Sequence, residues 1–259
     1  MENITDNGKK SFVKSVKDGI QKIPVIRNIG MQKVLAFGAL IIIYIVFAIL
    51  GRNFTSSSTT LNILASSYFV GFLAIGVTFI IITGGIDLSL GALMMCSALL
   101  GGKLYRDMGA PLWVALLVMI LFAVLVGLIN GLMVTKLKLP PFIATLGTMM
   151  VCLGLGSIIT NTSSKYFPTL LEADGWFGRV FFKTADGFPL GAVYLVAFYI
   201  ITFFVLNKTK IGRYIFAIGS NEEAVRLSGI KVDFWKTLAY VISGLGVGIG
   251  SIMYAATYT

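Results

Sequence analysis

Apolar residues along this chain gather into seven runs, near residues 34–50, 61–82, 88–102, 112–134, 142–160, 190–206 and 237–256, set apart by polar or charged stretches. A helix of about 17 to 25 apolar residues crosses the hydrocarbon core of a bilayer. The pattern therefore predicts an all-α fold, a polytopic transmembrane helical bundle with about seven spans. The third run is short and flanked by glycines, which predicts a broken or tilted element. Lys138-Leu139-Pro140-Pro141-Phe142 makes a rigid entry to the fifth span, because proline is accepted in a first helical turn.

Composition fixes the class. Of the 259 residues 57% are hydrophobic and 12% charged, where a soluble domain carries roughly 25% charged residues. Only a bilayer offers a solvent for so much apolar surface. The 29 glycines fit close helix crossings, with Gly127 and Gly131 four apart and Gly244, Gly246, Gly248 and Gly250 at every second position.

Absences narrow the chemistry. With no histidine, His-based general bases and the commonest metal ligand are excluded, and no phosphate-binding G-x-x-x-x-G-K-[ST] loop is present. Neither catalytic nor metal-binding residues are expected, and no cofactor. Any ATP hydrolysis would belong to a separate subunit. Cys96 and Cys152 sit in apolar runs and read as buried free thiols. Glu172 and Asp174, in the 161–189 loop, read as solvated charges.

Loop charges orient the bundle. Seven Lys/Arg precede residue 34, Lys136 and Lys138 follow the fourth span, and six lie in 207–236, against six on the opposite side. Fifteen against six places the N-terminus and the 207–236 loop in the cytoplasm of a plasma membrane. The +10 net charge thus reports orientation, and no nucleic-acid partner is implied. The chain divides into a basic cytoplasmic tail, 1–33, and a membrane domain, 34–259, whose first span is expected to be a retained anchor. In the tail Phe12, Val13, Val16, Ile20 and Ile23 recur at helical spacing among lysines. Two readings stand: a helix on the anionic inner leaflet, or a disordered basic tail. Trp113 and Trp235 read as interfacial anchors, and Trp176 as a contact for an extracytoplasmic partner.

Two stretches are candidates for function. In Thr83-Gly84-Gly85-Ile86-Asp87-Leu88-Ser89, Asp87 is an acid between two apolar runs, and the glycines permit a non-helical break. Gly84, Gly85, Asp87 and Ser89 are read as a hinge or part of a translocation path. Asp87 also suits a cap for a helix beginning at Leu88, and the two roles are compatible. In the 207–236 loop, Ser220-Asn221-Glu222-Glu223 matches a capping box, with Ser220 as N-cap and Glu223 third in the helix. Gly229 is placed to end that helix. So short a helix needs a packing partner.

These stretches, with Leu139-Pro140-Pro141-Phe142-Ile143-Ala144-Thr145-Leu146-Gly147, Ile211-Gly212-Arg213 and Gly219-Ser220-Asn221-Glu222-Glu223-Ala224-Val225-Arg226-Leu227-Ser228-Gly229-Ile230, resemble the permease subunits of ribose-type carbohydrate ABC importers. That is a branch of the superfamily shared with branched-chain amino-acid permeases, and the likeness runs from about residue 60 to 259. It implies a partner ABC ATPase subunit, a second permease subunit and an extracytoplasmic sugar-binding protein, in a lipid membrane. It implies that the 220–229 helix is a coupling helix, with Ser220, Glu222, Glu223, Ala224, Arg226, Leu227 and Gly229 at the ATPase contact. The expected cargo is a monosaccharide, a ribose-like pentose first. Alternatives are another small solute of the superfamily, such as an amino acid or nucleoside, and an ion-coupled secondary transporter. Such a transporter usually needs several intramembrane charges, and a membrane-embedded enzyme lacks paired carboxylates here. The family has about ten spans and well over 300 residues, so the chain is expected to be C-terminally incomplete.

Overall fold

The predicted apolar runs return as helices with ends moved by only a few residues. The computed structural model describes residues 31–169, 171–182 and 190–258. These hold ten helices and, among the described residues, no strand: α1 (Met31–Leu50), α2 (Ser57–Ile82), α3 (Leu90–Arg106), α4 (Leu112–Thr135), α5 (Pro141–Thr160), α6 (Trp176–Phe181), α7 (Leu190–Lys208), α8 (Lys210–Ser220), α9 (Glu222–Leu227) and α10 (Val232–Thr257). The readings made for the tail up to residue 30 lie outside the described residues. Five helices, α2, α4, α5, α7 and α10, are long and apolar enough to cross a membrane. The described apolar part of α1, Val34–Leu50, is shorter. At 17 residues α3 reaches about 25 Å of the roughly 30 Å core, as the short third run predicts.

The chain divides into two compact units, Met1–Thr60 and Leu61–Thr259. In the first, α1 exposes apolar side chains from Leu35 to Leu50, and Tyr44 and Phe47 pack their rings on Phe54. In the second, α10 is the central element: its most extensive pairing is with α4, and α3 also packs against it. The alternating glycines make this possible by serving two faces. Gly244 and Gly248 lie against Ala123 and Ile120 of α4, whereas Gly246 and Gly250 lie against Phe72 and Phe69 of α2. A methyl group on Gly244 would stand 2.6 Å from the Ala123 carbonyl oxygen, and one on Gly246 2.8 Å from that of Phe72. Backbone cannot yield as a side-chain tip can, so larger residues would force the helices apart.

The loop charges separate to opposite ends of the second unit. At one end Lys136 and Lys138, after α4, reach Asp233 at the start of α10 at 3.5 and 3.3 Å. At the other, Arg106 pairs with Glu172 at 2.8 Å and Lys165 with Asp107 at 2.6 Å. Glu172 is therefore not simply solvated. Asp174, read the same way, accepts a hydrogen bond from the Tyr105 hydroxyl at 3.2 Å. A hydrogen-bonded carboxylate recovers what a solvated one would gain from water. The loop before α6 folds down because Phe167 and Phe177 are buried, their rings stacked 5.4 Å apart over Leu112, Met119 and Ile252. Trp176 stays half exposed and donates to Asp174. Trp113 is exposed, while Trp235 packs on Tyr214.

Candidate functional site

Between α2 and α3 the chain leaves helical geometry at Thr83 and returns at Leu90. Gly84 makes the turn at φ +76°, and buried Gly85 lies against Ile80 and the Tyr240 hydroxyl. Asp87 does not cap a helix starting at Leu88. The helix starts two residues later with Ser89 in the N-cap position, and Asp87 Oδ1 accepts from the Ser89 amide at 2.8 Å and its hydroxyl at 2.6 Å. The carboxylate thus holds the turn ahead of the helix, as short acidic side chains do when they bond the backbone two residues on.

Ser89 passes the network inward. Its hydroxyl accepts from Asn130 Nδ2 of α4 at 3.0 Å, and Asn130 Oδ1 accepts from the Thr148 hydroxyl of α5. The Leu88 amide donates to Thr145 of α5 at 3.2 Å, and the Tyr240 hydroxyl of α10 donates to the Ile86 carbonyl at 3.4 Å. Backbone that has left its helix at membrane depth needs such partners, since lipid supplies none. Ser89, Asn130 and Thr145 are fully buried. Asn130, Thr145, Thr148 and Tyr240 were missed in the sequence. The signal for Asn130 was available, as it is the lone amide in the run 112–134.

The 207–236 segment holds two helices. The first, α8, turns buried Ile215 and Ile218 inward, and Thr209 caps it by accepting from the Ile211 amide. Because α8 continues through Ser220, Ser220 is not the N-cap of the next helix. Asn221, extended at φ −157°, takes that place and accepts from the Ala224 amide at 3.0 Å. Glu223 is then second rather than third in α9, too early for a capping box. The C-terminus follows the expectation. Gly229, at φ +80°, donates to the Arg226 carbonyl, and Ile230 donates to that of Val225. This paired pattern favours glycine at the left-handed position.

One side of α9 is fastened and the other is bare. Val225 is buried with Ile218 and Val232. Glu222 binds Lys236 at 2.8 Å and Arg226 at 3.0 Å, and Arg226 also reaches Asp233 at 3.2 Å. The Lys236 ammonium, helped by Arg226, holds the Glu222 carboxyl below its ordinary range against the opposing effect of burial. Glu223, Ala224 and Gly229 are exposed, and Leu227 is 84% exposed. The two candidate stretches meet indirectly. Gly219, at the end of α8, sits directly against the carbonyl of Ile82, the last residue before the break.

A family model described as branched-chain amino acid transport system / permease component matches residues 59–259. The ribose import permease protein of Bacillus subtilis is 40% identical over 222 residues, covering 83% of this chain and 66% of its own length. That of Escherichia coli K12 is 34% identical, covering 84% and 67%. The galactose/methyl galactoside import permease protein of the same organism is 31% identical, covering 95% and 73%. The chain spans about two thirds of the length of the ribose permeases it matches. No solved structure matches it.

Proposed function

The chain belongs to the family of branched-chain amino acid transport permease components, and from that premise we propose that it is the membrane-spanning subunit of an ATP-driven sugar importer, carrying a monosaccharide, with a ribose-like pentose first among candidates. The names of its relatives support a sugar. The observation that carries the reading is α9: a short capped helix, locked to the bundle by Val225 and Glu222, that turns Leu227 outward at the end where the basic loops gather. An apolar side chain held out on a rigid mount suits a pocket on another protein.

In this reading Glu222, Glu223, Ala224, Arg226, Leu227 and Gly229 form the contact for a separate ATPase subunit, with Ser220 ending the helix that leads into it. A second permease subunit completes the pathway, and an extracytoplasmic binding protein delivers the sugar. A push on α9 passes through α8 to the Gly219–Ile82 contact, and so to the Gly84–Ser89 break. Asp87 and Ser89 hold that break in register while it moves.

The test is uptake in proteoliposomes holding the chain, its ATPase and ribose-loaded binding protein. Leu227→Asp is expected to cut ATP-dependent uptake by more than about tenfold, the scale of an interface hot spot, with insertion unchanged. Wild-type uptake in this variant, or uptake driven by an imposed proton or sodium gradient without ATP, overturns the proposal. The family description favours an amino acid as second cargo, and titrating the binding protein with ribose and with leucine separates the two.

A further inference from the structure

At the basic end of the bundle, a groove of about 550 Å³ lies beside the contact of α4 with α10, and its walls change character along the helices. On α4 the stripe Leu128, Leu132, Lys136 advances four residues at a time, leaving two leucines below a lysine, with Leu132 41% exposed. On α10, Leu238 and Val241 continue the apolar wall below half-exposed Phe234. From Leu128 to Lys136 is about 12 Å of helix. The lining at the mouth carries Lys136, Arg226 and Lys231 with one acid, Asp233, and Arg226 also pairs with Glu222 just outside the lining. Asp233 is already shared by Arg226, Lys136 and Lys138, whereas Lys231 has no ion pair among the described residues.

We propose that this groove binds one anionic phospholipid of the inner leaflet, its headgroup phosphate between Lys231 and Lys136 and an acyl chain along Leu128, Leu132, Leu238 and Val241. Three observations select this occupant. The mouth holds an excess of positive charge, complementary to a phosphate. Every charged residue of the lining lies at the mouth, and apart from Thr237 the lining below it is the hydrocarbon of Leu128, Leu132, Leu238 and Val241, the polarity profile of a lipid rather than of a soluble anion. The groove opens at the end of the bundle that the loop charges assign to the cytoplasm, where anionic headgroups attract basic residues. A free phosphate would use the mouth and leave the apolar wall exposed. A protein partner would have to bury Phe234 and Leu238 together.

The test is native mass spectrometry of the full chain released from detergent after incubation with equal amounts of phosphatidylglycerol and phosphatidylcholine. The expected result is a retained phosphatidylglycerol at about fivefold or greater excess. That excess should fall by about fivefold for each cation removed in Lys231→Gln and Lys136→Gln. It should be kept in Lys208→Gln, a cation at the same end but outside the groove, and under millimolar inorganic phosphate. Equal retention of both lipids, an equal loss in Lys208→Gln, or displacement by inorganic phosphate overturns the proposal. So does photo-crosslinking from position 241, in the complex with the ATPase, that captures protein instead of lipid. Lipid retention is read without transport, so its failure leaves the importer reading standing.

Discussion

Asn130 is fully buried, and its amide joins three segments: it donates to Ser89 beside the Asp87 turn and accepts from Thr148 on α5. Replacing it by leucine removes both bonds, leaves the buried Ser89 hydroxyl without its donor and leaves Thr148 only its bond to the Ala144 carbonyl, at a cost of about 1–3 kcal/mol. A fall in the midpoint of thermal unfolding in detergent is expected, and an unchanged midpoint would mean the network does not hold the break. At Gly229 the left-handed φ of +80° makes Gly229→Val costly by about 1–2 kcal/mol, felt locally at α9. Accelerated hydrogen exchange confined to residues 222–230 is the expected readout. Glu222 sets an acid limit on the same helix. Its carboxyl titrates lower in the folded protein than in the unfolded chain, so the ion pairs with Lys236 and Arg226 contribute stability above the ordinary glutamate range. That contribution is lost as pH falls through the lowered value. Lys236→Gln should move the loss of exchange protection in α9 to higher pH.

Among the elements, α10 shows why glycine spacing matters more than glycine number. Gly244 faces the Ala123 carbonyl, whereas Gly154 on α5 has open space where a Cβ would stand. Gly244→Ala should destabilise by about 1–3 kcal/mol through overpacking, while Gly154→Ala should be neutral or stabilise by up to about 1 kcal/mol through helix propensity. Equal behaviour of the two would refute the close crossing of α4 and α10. The contact of α8 with the end of α2 makes a sharper claim about coupling. A methyl group on Gly219 has no room beside the Ile82 carbonyl, so Gly219→Ala should lower uptake while insertion and ATPase binding persist. The existence of α8 was legible in part, since Ile211, Ile215 and Ile218 fall on one helical face. The capping residue was not. Ser220 and Asn221 are adjacent and chemically similar, and the choice depends on how far α8 continues, which its packing on the core decides.

For the whole molecule, the separation of the basic loops from the Arg106–Glu172 end makes topology measurable. A membrane-impermeant maleimide should label Lys210→Cys only from the cytoplasmic face and Ser164→Cys only from the outer face, both positions being exposed. Cys96 and Cys152 are buried and should stay silent. Labelling of both from one side would overturn the orientation. Spans, their approximate ends and the polarity of the bundle were determined by the sequence alone, because burial in lipid is a local property: each helix satisfies its own backbone and only has to be apolar and long enough. Which helix stands at the centre, which glycine meets which neighbour, and which polar groups brace the break at Asp87 were decided only by tertiary structure. Asn130, Thr148 and Tyr240 come from three different helices, and an uncharged polar residue in an apolar run carries no mark of what it will touch. Helix association in lipid rests on close packing and on hydrogen bonds between helices, and both are set by partners far away in the chain.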